Sequence, residues 1–346
     1  MTNCAAVELL RRQYLQLIDP ERLKLPPPEV LRSPDVQRQI YESMFDDTAI
    51  SLGPSLRYRL RVLKRLIRAI EDSIQDPEED EISDDLSGCL AQYMSQSLPS
   101  AGEVAQQKSY VTYTAPFPAP NDYSVILSEA PSLLASSGTT GFRTWEAALH
   151  LASFLCTTMG RTYVAGKNVL ELGAGTGFLS ILYARYLEAK YVLATDGSHL
   201  VVQDMNANLA LNGFAKSESL EVRPLQWGHA LLGGPADQRD ANRGFDTVIG
   251  ADVTYDMKVM PALIATVRDL FELYPSAKFL ISATIRNEET LNCFLKACDA
   301  NNFIRKEIDF PLQSFEDQTG FFITGETPIK IFELRAPVSM PDAFAL

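Results

Sequence analysis

Cysteine and histidine are scarce in this chain of 346 residues, with five of the first and three of the second. Cys4, Cys89, Cys156, Cys293 and Cys298 are odd in number, scattered and never spaced Cys-x-x-Cys, which excludes a disulfide framework and a zinc-ligand set. His150, His199 and His229 stand too far apart for a His-rich metal site, so reduced thiols and no metal are expected. Basic charge is short too: 31 Lys and Arg against 44 Asp and Glu leave a net charge of −13. Affinity built on phosphate neutralisation needs a clustered basic face, so this balance argues against a nucleic-acid partner unless a local patch overrides it. Also missing is any run of ~18 uninterrupted apolar residues, the length of a membrane span. The opening Met-Thr-Asn-Cys-Ala-Ala-Val-Glu has no basic stretch ahead of an apolar one, as a secretory signal would. A cytoplasmic protein without membrane association is expected.

What is present is globular. Hydrophobic residues make up 46% and charged residues 22%, and the length suits roughly two domains. Three regions are expected: a helical N-terminal region over 1–105, a β-rich linker or lid over 106–137 and an α/β domain over 138–346. In the first region Leu56, Leu60, Leu63, Ile67 and Ile70 recur at helical spacing. Arg57, Arg59, Arg61, Lys64, Arg65 and Arg68 share that stretch, and the acidic run Glu71 to Asp85 follows it. A solvated face with an acidic loop around Pro77 explains this pattern; a bipolar surface gripping a macromolecule is the alternative. A further helix is expected from Leu86 to Ser97. In the linker, proline-punctuated runs at Ser109–Tyr113 and Tyr123–Leu127 read as a short hairpin.

Beyond residue 140, strand-like runs alternate with helical ones. Strands are expected at Asn168–Leu172, Tyr191–Ala194, Leu220–Pro224, Thr247–Ala251 and Lys278–Thr284. Helices are expected at Thr144–Thr158, Leu179–Leu187, Val201–Leu211, Val259–Leu273 and Glu288–Ala300. Such alternation builds a doubly wound parallel sheet. The last runs, Phe303–Phe310 and Lys330–Leu334, lack a long helix between them and suit a closing antiparallel pair.

Ligands of such sheets sit beyond the carboxyl ends of the strands, which directs attention to the residues just after each one. Glu171-Leu172-Gly173-Ala174-Gly175-Thr176-Gly177 ends a strand and opens a helix, where Gly173 and Gly175 let the backbone bend and approach a ligand. A dinucleotide fingerprint would need a third glycine at Phe178, which weakens the nicotinamide reading. Asp196 closes the next strand and can accept ribose hydroxyls, or else cap a helix. Trp227, in Gln226-Trp227-Gly228, walls an adenine pocket or fills the core. Asp252 and Tyr255, in Ala251-Asp252-Val253-Thr254-Tyr255, are placed to orient an amine and wall its channel, or else to cap and pack. Gly138-Thr139-Thr140-Gly141-Phe142-Arg143-Thr144-Trp145 leads into an Ala-rich helix, and Trp145 in its first turn exceeds what a cap requires.

Together these segments resemble the family 16 lysine methyltransferases, a branch of the seven-stranded Rossmann-like methyltransferases, over about residues 138–335. The resemblance implies S-adenosyl-L-methionine as cofactor, contacted by Trp145, Gly173, Ala174, Gly175, Asp196, Trp227 and Ala251. Asp252 and Tyr255 stand in the place of the family's Asp-x-x-Tyr signature and are expected as the catalytic pair. The lead-in at Ser137 and the stretch Arg143 to Leu151 are most similar to members acting on translation elongation factor 2, which implies a lysine of that protein as the substrate. Two other classes compete. A scaffold or chaperone-like protein would keep the cofactor pocket without methyl transfer, and a nucleic-acid methyltransferase would give nuclease-sensitive product.

Overall fold

The computed structural model describes residues 3–48, 50, 52–98, 108–116, 123–130, 140–229 and 243–337. Ser137, Gly138 and Thr139 of the expected lead-in lie outside the described residues, as do the boundaries expected near 105 and 137. The chain forms two compact units: Met1–Ser136 with Gln318–Thr324, and Ser137–Asp317 with Gly325–Leu346. Among the described residues no helix is long and apolar enough to cross a membrane.

The first unit holds helices α1 (Asn3–Leu15), α2 (Pro28–Leu31), α3 (Pro34–Met44), α4 (Leu56–Glu71) and α5 (Asp84–Ser95), then strands β1 (Ser109–Thr114) and β2 (Ser124–Glu129). Leu60, Leu63, Ile67 and Ile70 of α4 are buried as their spacing requires, and α4 packs on α5, which buries Leu86, Cys89 and Tyr93. Three of the six basic residues of α4 have acidic neighbours within the unit. Arg59 lies 2.6 Å from Asp47, Arg61 3.7 Å from Asp19 and Arg65 3.9 Å from Glu21. In the acidic run, the Asp80 carboxylate accepts the Gln75 and Asp76 N–H groups at 2.9 and 3.1 Å and so closes the turn around Pro77. Those two donors hold its carboxyl below the ordinary value.

Strands β1 and β2 pair antiparallel with Val111 opposite Leu127, and both residues are buried. Residues 318–324 continue the unit where the Phe321 N–H donates to the Thr114 carbonyl at 2.9 Å. Arg12, only 4% exposed, reaches the Ala115 and Thr319 carbonyls at 3.0 and 3.3 Å. The Gln16 amide both donates to and accepts from the Phe322 backbone, at 2.6 and 2.9 Å. Gly320 permits this approach, since a Cβ there would lie 2.4 Å from the Thr114 carbonyl oxygen and 2.6 Å from the Ala115 carbonyl carbon. Neither backbone neighbour can give way. Gly320→Ala is expected to cost about 1–3 kcal/mol in denaturant melts of the full chain, as overpacking against rigid neighbours does. An unshifted midpoint would contradict it.

The second unit is built on seven strands in the order β5-β4-β3-β6-β7-β9-β8. These are β3 (Asn168–Leu172), β4 (Tyr191–Asp196), β5 (Leu220–Pro224), β6 (Thr247–Ala251), β7 (Lys278–Thr284), β8 (Ile304–Ile308) and β9 (Ile329–Arg335). Five are parallel, while β9 runs antiparallel between β7 and β8, with Ile281 opposite Phe332. Strands β3, β4, β6 and β7 are apolar and almost wholly buried because helices cover both faces. Edge strand β8 presents Arg305, Lys306 and Glu307 to solvent, which blunts further pairing. The helices are α6 (Glu146–Leu155), α7 (Thr158–Arg161), α8 (Phe178–Arg185), α9 (His199–Leu211), α10 (Met260–Leu273) and α11 (Glu288–Ala300).

One expected helix, Thr144–Thr158, is shorter. Trp145 is extended at its start, and Thr157, also extended, uses its hydroxyl to accept the Gly160 N–H and begin the separate turn α7. The chain leaves β3 toward β4 on one side and reaches β6 on the other. Strand order thus reverses between β3 and β6, and their carboxyl ends form the crevice where such sheets bind ligands.

Candidate active site

At that crevice lies a cavity of about 790 Å³, lined from the carboxyl ends of β3, β4, β5 and β6, the start of α6 and the turn after β7. Trp145, Gly173, Ala174, Gly175, Asp196, Trp227, Ala251, Asp252 and Tyr255 all line it. The size suits a nucleoside-sized ligand.

The glycine turn is held from three directions. The Ala174 N–H donates to the Thr195 carbonyl at 2.8 Å, the Asn208 amide to the Thr176 carbonyl at 3.0 Å, and the Thr144 and Thr176 hydroxyls meet at 2.7 Å. Gly173 and Gly175 have φ of +65° and +54°, the left-handed region that side chains disfavour. A Cβ on Gly173 would lie 2.9 Å from Val253 and 3.4 Å from the Trp227 ring, so the indole stands directly beside the turn. Trp227 also packs, partly buried, against the core, so its two readings are not exclusive.

Asp196 does two things as well. One carboxylate oxygen accepts the Ser198 N–H at 3.0 Å, a turn role, and the other accepts the Gly175 N–H at 3.2 Å. Burial raises its pKa above the ordinary carboxylate value, and these backbone donors oppose the rise.

Asp252 does not take the helix-capping alternative. It has φ +55°, its N–H donates to the Ser282 carbonyl at 2.8 Å, and its side chain turns toward β7. There the Thr284 N–H and hydroxyl donate to its two oxygens at 3.0 and 3.1 Å, and Arg286 donates to the second at 3.1 Å. A non-glycine residue held in this conformation by three outside donors is locally strained, as functional positions often are. Tyr255, three residues on, is 54% exposed at the mouth.

Several lining residues were not singled out in the sequence. Arg143 and Arg286 each lie with the guanidinium carbon 5.0 Å from the Trp145 ring centre, and Glu146 accepts from Arg143 at 2.7 Å. A lone arginine two residues beyond a strand carries no motif. Its position after the carboxyl end of β7 was the available signal.

Glu171 is the other such residue. It is buried in β3 and accepts the hydroxyls of Ser180 and Tyr183 from α8. Burial pushes its carboxyl up from 4.5 to about 7, against the pull of those hydroxyls. A raised carboxyl pKa means that the folded chain holds the proton more tightly than the unfolded one. Stability therefore falls as pH rises from 4.5 toward 7, and the full penalty stands above 7. At ~1.4 kcal/mol per tenfold change in acid constant, the penalty is on the order of 3 kcal/mol. Glu171→Gln, uncharged throughout, is expected to gain stability over the parent between pH 5 and pH 8 in denaturant melts. Parallel curves for the two proteins would contradict it.

A doubly wound sheet closed by an antiparallel pair, with a glycine turn at the strand-order reversal and an acid ending the adjacent strand, is the architecture of a Rossmann-like methyltransferase. Residues 134–300 match the family model described as lysine methyltransferase. The chain is 45% identical to protein-lysine N-methyltransferase EFM3 of Chaetomium thermophilum, over 93% of this chain and 96% of that one. It is 34% identical to EFM3 of Saccharomyces cerevisiae, over 53% and 60% of the two chains. With protein-lysine N-methyltransferase EEF2KMT of Homo sapiens it is 30% identical, over 51% and 54%. The chain belongs to the lysine methyltransferase family and is a protein-lysine N-methyltransferase.

Proposed function

We propose that the protein transfers methyl groups from S-adenosyl-L-methionine to a lysine of translation elongation factor 2 in the cytoplasm. The observation that carries the cofactor is the convergence of the glycine turn, Asp196 and Trp227 on one cavity at the strand-order reversal. That donor set fits the group. The left-handed turn at Gly173 and Gly175, with Ala174 between them, would cradle it, Asp196 would accept the ribose hydroxyls, Trp227 would wall the adenine, and Trp145 and Ala251 would complete the enclosure. When bound, the cofactor supplies a methyl group on a positively charged sulfur.

The chain's own residues then have little covalent work. Methyl transfer to an amine is an in-line displacement, so alignment and exclusion of water dominate. A free lysine amine titrates near ~10.4, and only its neutral form attacks, so the held ammonium gives up its proton before transfer. Asp252 orients the amine and Tyr255 walls its approach.

Support for the substrate is the similarity to relatives named protein-lysine N-methyltransferase EFM3 and EEF2KMT, together with the Arg143 to Leu151 segment. The test is transfer of labelled methyl from the cofactor into extracts of cells lacking this protein, followed by mass spectrometry. Label on a lysine of elongation factor 2 is expected. Label on another protein alone would overturn the substrate, and nuclease-sensitive label would overturn the protein-directed reading.

A further inference from the structure

The mouth of the cavity already contains a cation site, and the chain itself fills it. Arg286 stands in the turn between β7 and α11, with its Nη2 3.1 Å from Asp252 Oδ2 and 3.5 Å from Glu146 Oε2. Its guanidinium lies 5.0 Å from the Trp145 ring centre. Two carboxylates and an indole face are what a cation in a cleft requires.

Among the described residues, local structure makes no other demand on this side chain. Asn287, not Arg286, caps α11 by accepting the Glu289 N–H at 2.7 Å. Thr284 alone grips both oxygens of Asp252. The partners also differ in freedom, since the Asp252 side chain is 7% exposed and that of Arg286 is 44% exposed. Asp252 is the fixed half of the pair and Arg286 the movable half.

We infer that Arg286 occupies, in the free enzyme, the place of the substrate's lysine ammonium, and that substrate engages by displacing it from Asp252, Glu146 and Trp145. This deepens the proposed reaction and rests on it. Exchange of one cation for another never leaves the buried Asp252 carboxylate without a partner, a state that would be costly. Glu146 keeps its contact with Arg143 at 2.7 Å throughout. Displacement also imposes selection. A tethered guanidinium competes at high effective concentration, so a lone amine loses to it. A lysine presented by a protein surface brings additional binding energy and prevails.

The test compares Arg286→Ala and Arg286→Lys with the parent, using labelled cofactor and two acceptors, purified elongation factor 2 and N-acetyl-lysine amide. Removing the competitor is expected to lower the KM of Arg286→Ala for elongation factor 2 by roughly three- to tenfold, the reciprocal of the fraction of enzyme that is open. Its turnover of N-acetyl-lysine amide is expected to rise by a similar factor, and Arg286→Lys, which restores a cation, should return both toward the parent. A higher KM in Arg286→Ala, or unchanged turnover of the small amine, overturns the exchange. Calorimetry with S-adenosylhomocysteine separates the two layers. No uptake by the parent sinks the proposed reaction itself, whereas uptake by all three proteins with unmoved acceptor kinetics sinks the exchange alone.

Discussion

Asp252→Ala is expected to reduce methyl transfer to elongation factor 2 by about 100-fold or more, the scale of loss when a reacting group is no longer held in line. The carboxylate lies where β6 ends, beside the glycine turn, and three donors from the β7 side aim it. Truncation removes the anion proposed to orient the amine and leaves those donors without their acceptor, at a stability cost of about 1–3 kcal/mol. Asp252→Asn separates these effects. Asparagine tolerates the left-handed backbone that Asp252 adopts at φ +55° and can still accept from Thr284, so its stability should stay closer to the parent. Its activity should nonetheless fall nearly as far, because the charge is gone. Initial rates at saturating cofactor, beside melts of each variant, read both quantities. Activity of Asp252→Asn within tenfold of the parent would mean that the charge does not hold the amine.

Gly175→Ala is expected to weaken S-adenosylhomocysteine binding at least tenfold, read by calorimetry. The new Cβ would meet Gly141 at 3.4–3.9 Å, ordinary contact on the protein side, so the chain can accommodate it there. The strain of φ +54° on a residue with a side chain costs about 1–2 kcal/mol. Gly175 also lines the cavity, where the proposed cofactor would approach the turn's backbone. Folding should survive while affinity drops. An unchanged dissociation constant would show that the ligand does not approach this turn, and the placement of the adenosyl group would have to be abandoned.

Some of this was readable in advance. Four of the five parallel strands announce themselves as short, largely apolar runs, which a sheet covered on both faces requires. The residues after their carboxyl ends could be chosen for the same reason, since the fold delivers those positions to one edge. Less legible was the order of the last three strands. Nothing local to Ile329–Arg335 says that it inserts between Lys278–Thr284 and Ile304–Ile308, because that order is set by pairings with partners far apart in the chain. The neighbours of the basic stripe of α4 were equally illegible. Its acidic partners Asp19, Glu21 and Asp47 come from earlier segments, and only packing brings them near.

By itself the amino-acid order determined the class of fold, the glycine bend and the set of post-strand residues, since each depends on periodicity or on a backbone conformation that few residue types allow. Tertiary structure alone decided what those residues face. Asp252 is turned onto Thr284 and Arg286, more than thirty residues on, Glu171 is buried against Ser180 and Tyr183 of α8, and Trp145 lies against Arg286 from the turn after β7 as well as its neighbour Arg143. Charge and burial act through space, so the chemistry of a carboxylate is set by neighbours that only the folded chain brings to it.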